Sequence, residues 1–111
     1  MQGIFISMEG ADGSGKSTQI ALLNDYFQSR GYETVITREP GGTVISEKIR
    51  EVILNKDYTE MGYMTEALLY ASARAQLVTE VIAPALAAGK AVISDRFIDS
   101  SAVYQGMGRG L

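Results

Sequence analysis

The 111-residue sequence contains neither cysteine nor histidine. The first absence removes any disulfide framework, and the two together remove Ser-His and Cys-His nucleophiles and zinc clusters of the usual ligand types. Catalysis here falls to carboxylates, Lys, Arg, hydroxyls, backbone amides or a bound hard cation. The lack of cysteine leaves the redox compartment open, although an intracellular site fits it. Long apolar runs are missing as well. Ile4-Phe5-Ile6 is too short for a signal-peptide core and runs into Glu9 and a glycine-rich segment, so it reads as a strand. Nor is there a basic excess to suit nucleic acid, since 10 Lys plus Arg stand against 13 Asp plus Glu. A soluble, cytoplasmic protein with neither a membrane nor a nucleic-acid partner is expected, of one-domain size.

What is present is an alternation of apolar runs with segments of helical period, without repeats or linkers. Residues 3–9 form the first expected strand, followed by Gly10-Ala11-Asp12-Gly13-Ser14-Gly15. From Lys16, the spacing of Ile20, Leu23 and Phe27 predicts a helix that Gly31 stops. Glu33 to Thr37 reads as a second strand ended by Pro40-Gly41-Gly42. A second helix, with Ile45, Ile49, Val52 and Ile53 in one stripe, is expected to run to about Asn55. Thr65 is the expected N-cap of a long third helix with Leu69, Leu77 and Val81 inward and Pro84 kinking or restarting it. Residues 91–94 make a third strand ending at Asp95-Arg96, and another helix is expected to start near Ser100. This order predicts a parallel α/β sheet with helices on both faces. Three strands make a poor sheet of that kind, so the chain reads as residues 1–111 of something larger.

Gly10-Ala11-Asp12-Gly13-Ser14-Gly15-Lys16-Ser17 matches G-x-x-x-x-G-K-[ST] between an expected strand and an expected helix. Glycines let the backbone curl so that successive N–H groups face phosphate oxygens, and the helix N-terminus adds partial positive charge. Lys16 would reach the β- and γ-phosphates, and the Ser17 hydroxyl would coordinate Mg²⁺. Asp95, at the carboxyl end of a buried strand, is placed to hold the same ion through water; taken alone it reads as a strand-end or capping residue.

A phosphate loop identifies a donor but leaves the acceptor open. Arg38 and Glu39 end the second strand and Arg96 follows the third, so cations stand where a second anion would face the nucleotide. Tyr70 and Arg74, four residues apart, share a helix face. They could stack on a base and donate to its edge, or form a surface packing pair.

Together, residues 10–18, Arg38-Glu39-Pro40-Gly41-Gly42-Thr43, Tyr70 to Arg74, Asp95-Arg96-Phe97 and Asp99-Ser100-Ser101-Ala102-Val103-Tyr104-Gln105-Gly106 closely resemble the bacterial thymidylate kinases, in the family's order over the whole chain. The resemblance implies a P-loop nucleoside monophosphate kinase that transfers the γ-phosphoryl of ATP to thymidine 5′-monophosphate (dTMP) with Mg²⁺, generally as a homodimer. By that resemblance Gly10 through Thr18 hold ATP, and Asp12 faces the acceptor 3′-hydroxyl and the magnesium region. Arg96 and Arg50 lie near the acceptor phosphate, with Glu39 and Pro40 lining that side. Tyr70 stacks on thymine where the family usually has Phe, and Arg74 donates to a base carbonyl. Ser100, Ser101 and Gln105 line the thymine pocket, and Tyr104 sits near the sugar 2′ position. Arg50 and Ser100 also have plain readings as solvated or capping residues, and Glu9 has no assigned role.

The chemistry suits a chain without histidine. The nucleophile is an acceptor phosphate oxygen, already largely anionic because its second pKa is about 6. Lys16, Asp12 and Arg96 are the expected catalytic residues, supplying positioning and charge neutralisation. Some family members carry an Arg inside the phosphate loop, which here holds Ala11, Asp12, Gly13 and Ser14; members without it use an Arg from a mobile lid farther along. These residues include no lid or later strands, so the isolated chain is expected to be at best marginally folded and nearly inactive. A kinase of another nucleoside or nucleotide, or a nucleotide-dependent switch with no acceptor, are the competing readings.

Overall fold

The computed structural model describes residues 2–10 and 15–97. Expectations that fall on Ala11, Asp12, Gly13 and Ser14, and on Ser100, Ser101, Tyr104 and Gln105, lie outside the described residues.

Strand β1 spans Ile4–Gly10 and helix α1 Lys16–Ser29. Gly31, at φ 89°, takes the left-handed conformation that ends α1, as its position predicts. Strand β2 is Thr34–Glu39, helix α2 is Val44–Leu54 and helix α3 is Tyr63–Leu77. The helical path continues through a π-helical turn, Val78–Ile82, into α4, Ala83–Ala87, and strand β3 is Ala91–Phe97. Pro84 lies in the first turn of α4, where its missing N–H and its ring break the regular ladder, and the widened π turn precedes it.

The sheet is parallel, in the order β1-β3-β2, so the last strand among the described residues is the central one. Alternation along the strands sorts side chains between two cores. Ala91 and Ile93 pack with Ile4, Ile6 and Met8 under Ile20 and Phe27 of α1. Val92, with Phe5 and Val35, packs on the opposite face against Leu77, Ile82 and Ala85. Helices therefore cover both faces, as the strand and helix alternation predicts.

One local expectation is corrected. Thr65 does not cap α3: Gly62 takes the N-cap position and its carbonyl accepts the first helical bond from the Glu66 N–H at 3.0 Å. Along the apolar stripe of α2, Ile49 and Ile53 are half-buried, whereas Ile45 is 52% exposed and Val52 39%. α2 lies against α3 rather than the sheet, and its fully buried residue is Ser46.

The β2–α2 turn is held by its own motif. The Glu39–Pro40 peptide is cis. Gly42 has φ 94°, and a Cβ there would lie 2.6 Å from Thr37 Oγ1 and 2.7 Å from Leu77 Cδ1, so only glycine fits. Thr43 then caps α2, its Oγ1 accepting from Ser46 N at 3.0 Å.

Candidate active site

Because all three strands are parallel, their carboxyl ends meet along one edge, and the register puts Glu9, Arg96 and Glu39 on a single rung. Open parallel sheets bind ligands beyond that edge. Residues 95 and 96 then diverge by pleat: Asp95 shares the face of Ile93 and α1, while Arg96 shares that of Val92 and α3.

On the α1 face stands Lys16, the first residue of the helix and only 7% exposed. Its Nζ donates to the Gly10 carbonyl at 2.9 Å and lies 2.6 Å from Asp95 Oδ1. That oxygen is sealed from solvent, and the ammonium meets it as a charge contact rather than an aligned hydrogen bond. Gly15, in left-handed geometry, opens α1, and Ser17 and Thr18 are exposed on its first turn.

On the α3 face, Arg96 Nη1 lies 3.2 Å from Glu9 Oε1, which gives Glu9 a partner the sequence did not reveal. Glu39 is buried, with Oε2 accepting from Ser94 Oγ at 2.7 Å and Oε1 lying 3.3 Å from Arg74 Nε. Tyr70 is half-buried one turn before Arg74.

A cleft of about 270 Å³ joins the two sides, lined by Lys16, Arg38, Glu39, Pro40, Arg50, Leu54 and Asp95. The structure thus brings Lys16, Asp95, Glu39, Pro40 and Arg50 to one space. Arg74 reaches it through Glu39, and Arg96 stands at the sheet edge beside Glu9. Arg38, read from sequence as a cation for a second anion, borders the cleft but is paired with Glu47. Its Nε and Nη2 donate to Glu47 Oε1 and Oε2, both at 2.9 Å. Glu47 Oε1 also accepts from Gly42 N at 3.1 Å. That backbone bond, followed by the Arg38 guanidinium and the Arg50 charge, holds the Glu47 carboxyl below the ordinary value of 4.5, against the opposing effect of burial.

Sequence reasoning missed Ser94, Glu47 and Ser46. The Thr43 cap was readable at the start of α2, but Ser46 Oγ donating to the Ala73 carbonyl at 2.7 Å depends on α2 meeting α3. Among the described residues, no helix is long and apolar enough to cross a membrane.

A parallel sheet whose first strand leads through Gly15-Lys16-Ser17 into a helix belongs to the P-loop class of α/β proteins. Within that class, the thymidylate kinase family profile matches residues 8–111. The chain belongs to the thymidylate kinase family. It is 61% identical over 110 residues to a thymidylate kinase of Exiguobacterium sibiricum, covering 99% of this chain and 52% of that protein. With a thymidylate kinase of Geobacillus thermodenitrificans, identity is 55% over 111 residues, covering 100% of this chain and 49% of the other. The crystal structure of thymidylate kinase from Ehrlichia chaffeensis superposes with a TM-score of 0.77 at 40% identity, over 100% of this chain and 62% of that one. The chain spans about half the length of the curated relatives it matches.

Proposed function

We propose that residues 1–111 form the N-terminal part of a single P-loop kinase domain whose full-length gene product transfers the γ-phosphoryl of ATP to dTMP. The observation that carries this reading is the shared cleft, which places Lys16 and Asp95 from the phosphate-loop side and Arg50 from α2 around one space. Two phosphate-bearing ligands need that arrangement, with cations from two elements converging on a single gap.

In this reading the backbone of Gly10 through Thr18 holds the donor phosphates, Lys16 neutralises them, and Arg96 and Arg50 hold the acceptor phosphate beside Pro40. Asp12 addresses the acceptor sugar; Tyr70 and Arg74 address the base, with Ser100, Ser101, Tyr104 and Gln105. The acceptor oxygen attacks as an anion, so the protein's task is to align two polyanions and offset their repulsion. The Ser17 hydroxyl and the Asp95 carboxylate, the latter 37% exposed, are hard oxygen donors and fit Mg²⁺, which takes few protein ligands besides phosphates. Mg²⁺ held there would offset negative charge on the donor phosphates.

A cytoplasmic location belongs to the same reading, as does a homodimer. Ile45 and Val52 on α2 and Met64 and Leu68 on α3 leave apolar side chains exposed that a second copy would cover. The deciding experiment is turnover of dTMP, dCMP, AMP and GMP with ATP by the full-length gene product. Preference for dTMP is the expected result; a different preferred acceptor, or hydrolysis without transfer, overturns the proposal.

A further inference from the structure

The geometry points to Glu39 as the positioning residue that fixes Arg74 for base recognition, an inference that rests on the reading of Arg74 as a base contact. A buried carboxylate persists only where its oxygens are satisfied. Here the two oxygens divide their work: Oε2 accepts from Ser94 Oγ at 2.7 Å, and Oε1 lies 3.3 Å from Arg74 Nε. Ser94 is fully buried in the central strand, so it anchors the carboxylate to the most constrained part of the sheet. Glu39 in turn pairs with the inner nitrogen of Arg74. The Arg74 side chain is 42% exposed, so part of it remains accessible to a ligand.

A second tie comes from the neighbouring residue. Ser46 Oγ donates to the Ala73 carbonyl at 2.7 Å, with both residues buried, and Thr43 Oγ1 fixes Ser46 N. The turn of α3 carrying Arg74 is therefore held from β2 through Glu39 and from α2 through Ser46. An unsupported Arg would sample many rotamers, whereas one fixed at Nε presents its planar fork in a single orientation. A fork so fixed offers donors alone, which suits a base edge bearing a carbonyl and rejects one bearing an amino group at the same place. Glu39 thus acts through Arg74; touching the acceptor phosphate directly would set two anions against each other.

The test is a double-mutant cycle in the full-length gene product, reading steady-state constants for dTMP, dCMP and ATP. Glu39→Gln is expected to raise the dTMP KM about tenfold, leave the ATP KM within about twofold and narrow the dTMP over dCMP preference. In an Arg74→Ala background the same substitution should add less than about twofold. Ser94→Ala is the milder arm and carries the test if Glu39→Gln does not fold; about a threefold rise in dTMP KM, abolished by Arg74→Ala, is expected. Effects that persist in full without Arg74, or that fall equally on the ATP KM, overturn the positioning role and leave the base contact standing. If Arg74→Ala leaves the dTMP KM unchanged, the base contact itself is wrong and the positioning role falls with it.

Discussion

Asp95 and Arg96 are adjacent in β3 yet serve opposite faces of the sheet. Asp95 meets Lys16 at 2.6 Å on the α1 side, and Arg96 meets Glu9 at 3.2 Å on the other. One strand end thereby delivers an anion to Lys16 on the α1 face and a cation to the opposite face, beside Glu9.

The Lys16 contact makes a first prediction. Removing the ammonium strands a solvent-sealed Asp95 oxygen and frees the Gly10 carbonyl. Lys16→Met in the full-length gene product should lower stability by about 1–3 kcal/mol and reduce kcat by about a hundredfold or more. Denaturant titration and single-turnover rates measure the two effects; retained turnover would remove Lys16 from the mechanism.

Glu47 gives a pH signature. Its folded pKa lies below 4.5, with the Gly42 N–H as the leading cause, so its stabilisation is fully present above the unfolded pKa and is lost as pH falls through the folded one. Glu47→Gln should therefore be less stable than the parent at neutral pH, with the gap closing below about pH 4.5. Urea midpoints measured from pH 7 down to pH 3 check this, and a gap that grows on acidification contradicts it.

At Gly42 the constraint is steric. A methyl group at φ 94° would press on Thr37 Oγ1 and Leu77 Cδ1. Gly42→Ala is expected to cost about 1–3 kcal/mol, read from the shift in the unfolding midpoint. A neutral result would mean that the turn repacks without penalty.

Leu77 is fully buried between the sheet and α4. Truncation to Ala removes packing that nothing nearby can replace and should cost about 2–5 kcal/mol. A loss below about 1 kcal/mol would show that the α3 face is not a rigid core.

The strand and helix order through β3 and the buried residues Ile20, Phe27, Leu77 and Ile93 were legible, because each depends on spacing within one segment. Pairings between segments were not. Nothing within Arg38-Glu39-Pro40-Gly41-Gly42-Thr43 tells that Arg38 turns outward to Glu47 while Glu39 turns inward to Ser94 and Arg74; strand alternation says only that they diverge. The α2 stripe illustrates the same limit. Periodicity marks an apolar face without saying what covers it, and the buried seam with α3 runs through a serine.

The strand order also governs how the chain is made. β1 and β2 both pair with β3, which leaves the ribosome after them, and among the described residues they do not pair with each other. At about 5–20 residues per second, two completed strands wait roughly 3–10 s between the synthesis of Glu39 and that of Ala91. Through that interval the nascent polypeptide exposes Ile4, Phe5, Ile6, Val35 and Ile36 with no sheet to join.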